Sequence, residues 1–257
     1  MAQIQCNFFA YSLGYPVDIQ ITLPSFTSCN MRNPHTHALP GKFPVLYLLH
    51  GYGNDYKAWA RYTSMERYAE EHRIAVVTFS CHNKAYLNAP LGENFYDFLN
   101  EELPEFVESY FPISSNPQER YIAGLSMGGY GAMLHGLTNP ERYSAIGAFS
   151  PGIPDPDSAA DPNRIMRIDL YEVTRKALES CVQLPDLFIC IGNKDFLYER
   201  VTRYHQTFGA KWPISRYRYD DLPDYEHEFA IWDKEIQAFL DWIKREDVYK
   251  KLGKNKV

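Results

Sequence analysis

The alternation of short apolar runs with longer segments of helical period constrains the fold of this chain most. Eight runs rich in β-branched and aromatic residues are separated by turn residues or by stretches whose apolar residues recur at helical spacing. Strands joined by helical crossovers form a mostly parallel sheet flanked by helices. The predicted strands cover residues 4–10, 15–23, 43–49, 74–80, 120–125, 144–150, 186–192 and 214–220. The sequence therefore predicts an α/β fold with a central sheet of about eight strands.

Only a short Gly-containing segment separates the first two predicted strands. We expect these two strands to form an antiparallel hairpin at one edge of the sheet, and the others to run parallel. Helical period is clearest in residues 64–73, 94–111 and 228–246 and in the segment after Ser126. Because proline donates no backbone hydrogen bond, Pro104 is expected to kink or split the 94–111 helix.

A G-x-S-x-G motif, GLSMG at residues 124–128, stands between a predicted strand and a predicted helix. A serine on such a sharp turn is exposed for nucleophilic attack, and Gly124 and Gly128 are explained by close backbone approach. The N-terminus of the following helix favours negative charge developing beside the serine. The motif predicts that Ser126 is a nucleophile; the alternative is an ordinary helix-capping serine.

A serine hydroxyl needs a neighbouring base, and in this kind of fold the chain order is Ser, acid, His. His135 lies on the helix that follows Ser126 and points along another face, and His205 is expected on a solvated helix face. His227 remains, in the loop between the last predicted strand and the last predicted helix, and is the candidate base; the alternative is a capping or surface histidine. Five histidines precede Ser126 and therefore violate this chain order: His35, His37, His50, His72 and His82.

Asp195 is the candidate acid because it follows the strongly apolar strand at 186–192. Its carboxylate should therefore emerge at the same sheet edge as Ser126. An alternative role for Asp195 is to cap the next helix. Weaker candidates for the acid are Asp169, which lies in an insertion, and Asp220, Asp221 and Asp224, which are close in sequence to His227.

Negative charge on a tetrahedral intermediate requires two hydrogen-bond donors near the nucleophile. The backbone N–H of Met127 supplies one by its position after Ser126. The second is expected from Tyr52, in the loop HGYGN at 50–54, whose glycines let it fold back toward the nucleophile. The alternative interpretation of this loop is a simple glycine turn.

With Ser126, Asp195 and His227 assigned, the chain resembles an esterase family of the α/β-hydrolase superfamily that contains esterase D, feruloyl esterases and bacterial tributyrin esterases. The resemblance implies hydrolysis through an acyl-enzyme with no metal or organic cofactor. The matching segments are YLLHGYGND at 47–55, GENFYDFLNEELPEFVESYFP at 92–112, YIAGLSMGGYGAM at 121–133, GNKDFLY at 192–198 and HEF at 227–229.

The substrate is less constrained than the chemistry. S-formylglutathione hydrolases carry a different oxyanion loop from HGYG at 50–53, so the resemblance favours the tributyrin and feruloyl esterase branches. These imply short acyl or aryl-acyl esters, such as acetyl, feruloyl or cinnamoyl esters, including those of acylated sugars. The alternatives are an acyltransferase or a thioesterase with the same triad, and a non-catalytic binding domain on the same fold.

The composition narrows the partners and the compartment. A net charge of −6 gives no electrostatic reason to expect nucleic acid or an anionic membrane as a partner. The N-terminal residues do not resemble a signal peptide, and no apolar run is long enough to span a membrane. Five cysteines without a C-x-x-C pair are expected to be buried free thiols, so a cytoplasmic location is predicted.

Three further features stay open. The whole chain, 1–257, is expected to be one domain, and the proline-containing insertion at 151–185 is either a cap over the site or a plain surface loop. His35 and His37 are close enough in sequence to suggest a metal site, but they have no acidic neighbours and a loop feature is favoured. A homo-oligomer can be neither predicted nor excluded from the sequence.

Overall fold

The computed structural model describes residues 1–25, 29, 36–155, 165–180, 182–213, 216–255 and 257. All eight predicted strands are present in one sheet with the order β1-β2-β4-β3-β5-β6-β7-β8. The strands are β1 Ala2–Ala10, β2 Tyr15–Leu23, β3 Val45–Leu49, β4 Ala75–Phe79, β5 Arg120–Leu125, β6 Ala145–Phe149, β7 Asp186–Gly192 and β8 Tyr217–Leu222. The last strand begins later than predicted, and Ile214 and Ser215 lie outside the described residues.

The strand directions also agree with the prediction. β1 and β2 form an antiparallel hairpin at one edge of the sheet, and β2 pairs antiparallel with β4. All remaining neighbours in the sheet are parallel. The carboxyl ends of β3 and β5 to β8 therefore meet at one edge, where loops from neighbouring strands can combine side chains into a site.

The helices cover both faces of this sheet. They are α1 Ala58–Tyr62, α2 Met65–His72, α3 Phe95–Asp97, α4 Leu103–Tyr110, α5 Met127–Thr138, α6 Leu170–Glu179, α7 Tyr198–Phe208, α8 Phe229–Trp242 and α9 Val248–Lys251. On β3, Val45, Tyr47 and Leu49 pack with residues of α4, α5, α6 and α7. Leu46 and Leu48 face the opposite way and pack with residues of α2 and α8. Both faces of a parallel strand are buried in this way, which explains its uninterrupted apolar sequence.

The helix predicted at 94–111 is interrupted close to Pro104, as expected. A π-helical turn at Phe98–Glu102 separates α3 from α4, and Pro104 is the second residue of α4. Because Pro104 has no N–H, the carbonyl of Asn100 lacks its usual helical donor. The guanidinium of Arg142 donates to that carbonyl instead.

The prediction about the cysteines holds only in part. Cys81 and Cys190 are buried free thiols, but Cys6 is half-buried and Cys29 is exposed. Cys181 lies outside the described residues. Burial raises the pKa of the Cys81 thiol to about 11, which keeps it protonated at neutral pH.

Candidate active site

Ser126 occupies a strained turn between β5 and α5. Its backbone angles are φ 54° and ψ −115°, in a region that residues with a side chain rarely adopt. Three backbone hydrogen bonds hold the turn. The Ser126 N–H donates to Phe149 O at 2.9 Å, and the Ser126 carbonyl accepts from Gly152 N at 2.9 Å and Tyr130 N at 3.0 Å. The strain is therefore offset by contacts with β6 and with the loop that follows it.

The glycines of the motif have the predicted steric cause. A Cβ atom on Gly124 would lie 2.5 Å from the carbonyl carbon of Gly128, and one on Gly128 would lie 2.5 Å from Leu49 O and 2.7 Å from His50 O. These contacts are with backbone atoms, which cannot rotate away. Gly124 and Gly128 thus allow α5 to begin directly against the end of β3.

The loop after β3 lies beside Ser126, as predicted. A Cβ atom on Gly51 would be 3.5 Å from the Cβ of Ser126. Among the described residues, neither the Tyr52 N–H nor the Met127 N–H has a hydrogen-bond acceptor. The Tyr52 side chain is 63% exposed, so this loop forms part of the rim of the site.

His50 fixes the shape of this loop. Its Nδ1 lies 2.7 Å from Gly51 O, and its Nε2 accepts a hydrogen bond from the backbone N–H of Cys81 at 3.0 Å. An Nδ1 that donates and an Nε2 that accepts describe a neutral imidazole. Burial lowers the pKa of His50, which keeps the ring in this form. Both ring nitrogens are engaged, so His50 is structural.

His227 and Asp195 meet at the same edge of the sheet as Ser126. The Nδ1 of His227 donates to Asp195 Oδ2 at 2.7 Å, and the Leu197 N–H donates to Asp195 Oδ1 at 2.8 Å. Asp195 is only 4% exposed. A buried carboxylate with both oxygens occupied orients the imidazole through its Nδ1.

Two aromatic side chains contact the His227 ring. The ring of Phe196 lies 4.6 Å from it between centroids, and the ring of Trp232 packs edge-on at 5.0 Å. The indole N–H of Trp232 donates to Ser150 Oγ at 3.1 Å. Trp232 is thus itself anchored to the end of β6, next to the strand that carries Ser126.

The other candidate acids have different partners. Asp169 caps α6 by accepting from Tyr171 N at 2.8 Å. Asp220 pairs with Arg218 at 2.6 Å, Asp221 accepts from the Tyr198 hydroxyl at 2.7 Å, and Asp224 pairs with Lys194 at 2.8 Å. Within the described part of the chain, only Asp195 contacts His227 through its carboxylate.

The two later rival histidines are packing residues. His135 is fully buried, donates through Nε2 to Tyr86 O at 2.9 Å and stacks on Tyr96. The solvated position expected for His205 is wrong. Its ring stacks on Tyr219 at 3.9 Å and its Nδ1 lies 2.9 Å from the Tyr217 hydroxyl, because β8 packs against this face of α7.

A second loop, which no sequence motif marks as part of the site, supports the loop after β3. We call residues 81–86 the support loop. Asn83 Oδ1 accepts from the Gly53 N–H at 2.7 Å, and the Tyr86 hydroxyl donates to His50 O at 2.8 Å. Four non-glycine residues of the support loop have positive φ angles: His82, Asn83, Ala85 and Tyr86. Asn83 was the one available signal, since asparagine tolerates this conformation better than most residues.

Two parts of the 151–185 insertion, before residue 156 and after residue 164, contact Ser126, its neighbours or the helix that follows it. Gly152 donates to the carbonyl of Ser126, and a Cβ atom on Gly152 would lie 2.5 Å from Met166 Sδ. The Ile168 N–H donates to the Tyr130 hydroxyl at 2.9 Å. Residues 156–164 lie outside the described residues, so a cap formed by this insertion stays a prediction.

Metal-ligand clusters and membrane-spanning helices are two further features on which the sequence makes predictions. In the described ranges, no three His, Cys, Asp or Glu side chains are placed to hold a metal ion. His35 lies outside them, so the His35–His37 pair is not tested. None of the helices in the described part of the chain is long and apolar enough to cross a membrane.

Comparisons with known proteins identify a family for the chain. The family model described as Putative esterase matches residues 22–235. An acetyl esterase of Caldicellulosiruptor saccharolyticus is 26% identical over 268 residues, which cover 95% of this chain and 99% of that protein.

Two solved structures from Staphylococcus aureus are similar to this one. FphF, a fluorophosphonate-binding serine hydrolase, is 28% identical with a TM-score of 0.80, over 94% of this chain and 97% of that one. The S-formylglutathione hydrolase FrmB is also 28% identical, with a TM-score of 0.77 over 94% and 98% of the two chains. The chain therefore belongs to the Putative esterase family and is a carboxylic ester hydrolase with the α/β-hydrolase fold.

Proposed function

We propose that this enzyme hydrolyses short acyl or aryl-acyl carboxylic esters through an acyl-enzyme on Ser126. The observation that carries the proposal is the 2.7 Å hydrogen bond between His227 Nδ1 and Asp195 Oδ2, at the sheet edge where Ser126 sits on its strained turn. A serine, a buried carboxylate and a histidine, in this order along the chain, are the parts that nucleophilic acyl transfer requires in this fold.

In the proposed reaction His227 Nε2 takes the proton of Ser126 while Oγ attacks the ester carbonyl. The tetrahedral intermediate collapses, the bond to the alcohol oxygen breaks, and His227 returns the proton to the departing alcohol. A water molecule, deprotonated by the same histidine, then attacks the acyl group. The bond between the acyl carbon and Ser126 Oγ breaks, His227 returns the proton to Ser126, and the carboxylic acid is released. Asp195 stabilises the imidazolium in both steps and keeps its proton on the correct nitrogen.

The Tyr52 and Met127 N–H groups are the proposed oxyanion donors. Neither has an acceptor among the described residues, and the adjacent Gly51 approaches Ser126 closely. Loss of one such donor costs about 10² to 10³ in kcat in serine hydrolases. The N-terminus of α5, which begins at Met127, adds a favourable dipole at the same position.

Short acyl groups, acetyl first, are supported by the similarity to an acetyl esterase over 95% of this chain. Acylated sugars are the proposed natural form of such esters. A thioester is the second candidate substrate, supported by the similarity to an S-formylglutathione hydrolase. A panel of acetyl, butyryl, feruloyl and thioester substrates at equal concentration separates the two candidates by their kcat/KM values.

The experiment that tests the mechanism compares Ser126→Ala with the wild-type enzyme on p-nitrophenyl acetate. Rate loss of about 10⁴-fold or more is expected, because the nucleophile is removed. Ser109→Ala, which changes an exposed serine on α4, is the matched control. Wild-type enzyme quenched during turnover should carry an acetyl group on the peptide that contains Ser126. Activity in Ser126→Ala equal to wild type would refute the proposal.

A further inference from the structure

Phe196 has a position that the hydrolysis mechanism does not by itself explain. It lies between β7 and α7 and is 76% exposed, whereas its neighbours Asp195 and Leu197 are 4% and 5% exposed. A single exposed aromatic residue is ordinary on a protein surface. The location of Phe196 is not, because its ring contacts the ring of His227 with 4.6 Å between centroids and a tilt of 53°.

The chemistry of the site defines which part of an ester comes near this ring. His227 Nδ1 is bonded to Asp195, so Nε2 is the atom that passes the serine proton to the departing alcohol oxygen. That oxygen must come within hydrogen-bond distance of Nε2. The carbonyl oxygen of the ester points instead to the Tyr52 and Met127 amides. Groups attached to the alcohol oxygen therefore lie next to the His227 ring, which Phe196 contacts.

We propose that Phe196 forms a subsite for the alcohol part of the ester and favours uncharged alcohols that carry a ring. The inference rests on the proposed function, because it takes His227 as the group that protonates the alcohol. A flat ring, whether a phenol or the apolar face of a pyranose, can pack against the exposed face of Phe196. The alcohol leaves with the proton taken from Ser126, so the subsite adds no chemical step.

The charges beside His227 disfavour an anionic alcohol or thiol. Glu226 and Glu228 flank the histidine and are both exposed. Lys194, the cation of the neighbouring turn, is already paired with Asp224 at 2.8 Å. A leaving group with a carboxylate would bring a further negative charge next to these side chains. An uncharged ring avoids that repulsion.

The first test keeps the acetyl group constant and varies the alcohol. For Phe196→Ala, kcat/KM on phenyl acetate should fall about fivefold to tenfold, the loss expected for one aromatic contact, while kcat/KM on ethyl acetate stays unchanged. Phe196→Tyr should restore the wild-type value because it keeps the aromatic face. Phe9→Ala is the matched control, since Phe9 is 64% exposed on β1 at the far end of the sheet.

The rate of deacylation distinguishes loss of the alcohol subsite from damage to His227, because only damage to His227 would slow this step. Every acetate ester forms the same acetyl-enzyme, and the alcohol has left before water attacks. Phe196→Ala should therefore hydrolyse a preformed acetyl-enzyme at the wild-type rate. Equal losses of kcat/KM on phenyl and ethyl acetate, or a slower deacylation, would mean that the substitution disturbs His227 and would overturn the proposal.

The second test concerns charge. In the double variant Glu226→Gln/Glu228→Gln, kcat/KM on 4-acetoxybenzoate should rise about threefold relative to methyl 4-acetoxybenzoate, with the difference shrinking at high salt. An unchanged ratio would overturn the charge part of the proposal. An unchanged kcat/KM of Phe196→Ala on phenyl acetate would overturn the ring part. Ser126→Ala is assayed in parallel: if it stays active, the hydrolytic mechanism itself is refuted, and if it is inactive, any failure belongs to the proposed alcohol subsite.

Discussion

The Asp195 carboxylate uses both of its oxygens within the protein. One accepts the Leu197 N–H at 2.8 Å and the other accepts His227 Nδ1–H at 2.7 Å. The first contact ties the carboxylate to the start of the segment before α7, so its orientation does not depend on the histidine. In the proposed mechanism, this makes the imidazole tautomer a property of the folded protein before substrate arrives.

Asp195→Asn should separate orientation from packing. An asparagine amide is the same size, but its NH₂ group can make His227 Nδ1 the acceptor, which puts the proton on Nε2 and removes the base. We expect kcat on p-nitrophenyl acetate to fall about 10³-fold to 10⁴-fold with little change in the thermal unfolding midpoint. Asp224→Asn, an exposed carboxylate on the same side of the molecule, is the control and should keep wild-type kcat. A fall of less than tenfold in Asp195→Asn would contradict the assigned role.

Gly128 tests the steric argument for the strained turn. In Gly128→Ala the new methyl group would meet Leu49 O at 2.5 Å and His50 O at 2.7 Å, so α5 or the end of β3 must shift. We expect unfolding free energy to fall by roughly 1 to 3 kcal/mol, and esterase activity to fall as the oxyanion loop moves. Urea unfolding and kcat measure the two effects.

Gly41→Ala is the matched control for Gly128. A Cβ atom on Gly41 would meet only the end of the Val248 side chain, at 3.2 Å. Gly41 lies on a loop away from the catalytic edge of the sheet. Both stability and kcat should stay near wild type. If Gly128→Ala behaved like Gly41→Ala, the close approach of α5 to β3 would not be the reason for the glycine.

At the scale of structural elements, the support loop holds the loop that carries the proposed oxyanion donor Tyr52. Its contacts with the loop after β3 run through the Gly53 N–H, the His50 carbonyl and the His50 ring. A segment with four positive φ angles stores strain, and such strain persists only where surrounding contacts hold it. The support loop therefore positions the proposed oxyanion donor Tyr52 without contacting the reacting atoms.

Asn83 allows this positioning role to be tested without loss of the fold. Asn83→Gly removes the acceptor for the Gly53 N–H but suits the φ angle of 59° better than any other residue. We expect kcat to fall about tenfold with KM nearly unchanged, because a misplaced oxyanion donor affects the transition state more than substrate binding. Asn83→Asp keeps an acceptor oxygen and should retain most of the activity. A rise in KM with constant kcat in Asn83→Gly would contradict the positioning role.

Features of this fold that depend on local sequence could be predicted, and features that depend on contacts between distant residues could not. The strands and the contact between Asp195 and His227 could be predicted because local apolar period and position after a strand determine them. The support loop could not, since its value depends on hydrogen bonds between residues about 30 positions apart, such as Gly53 and Asn83. The packing of His205 could not be predicted for the same reason: its stacking partner Tyr219 belongs to another element.

Across the whole molecule, the fold buries two histidines, which are bases, and a glutamate, which is an acid, and shifts their pKa values in opposite directions. Burial lowers the pKa of His135 to about 4. Burial, with the charge of Lys254 as a second cause, also lowers the pKa of His72 to about 4. Burial, together with the facing carboxylate of Asp220, raises the pKa of Glu235 to about 8. The folded protein thus keeps all three side chains neutral near pH 6.5.

These shifts predict a stability maximum near pH 6.5. Between pH 6.5 and 4 the unfolded chain binds protons on the two histidines that the folded chain does not, so stability falls as the pH falls. Between pH 4.5 and 8 the folded chain keeps the proton of Glu235 that the unfolded chain has lost, so this group lowers stability as the pH rises. Below pH 6.5 the two histidines outweigh the single glutamate, and above pH 6.5 the glutamate acts alone.

Glu235→Gln should remove the alkaline side of this maximum. Glutamine resembles the protonated acid in size and stays neutral, so wild type should lose about 2 kcal/mol of unfolding free energy between pH 6.5 and 8.5 while the variant loses little. Urea unfolding at pH 5, 6.5 and 8.5 measures the profile, and Glu246→Gln, at an exposed position, is the control. If wild type and Glu235→Gln declined in parallel above pH 6.5, the loss would come from another group. Glu235 lies on α8, which begins two residues after His227. The predicted loss of stability above pH 6.5 would therefore also limit the pH range in which the esterase can be assayed as a folded enzyme.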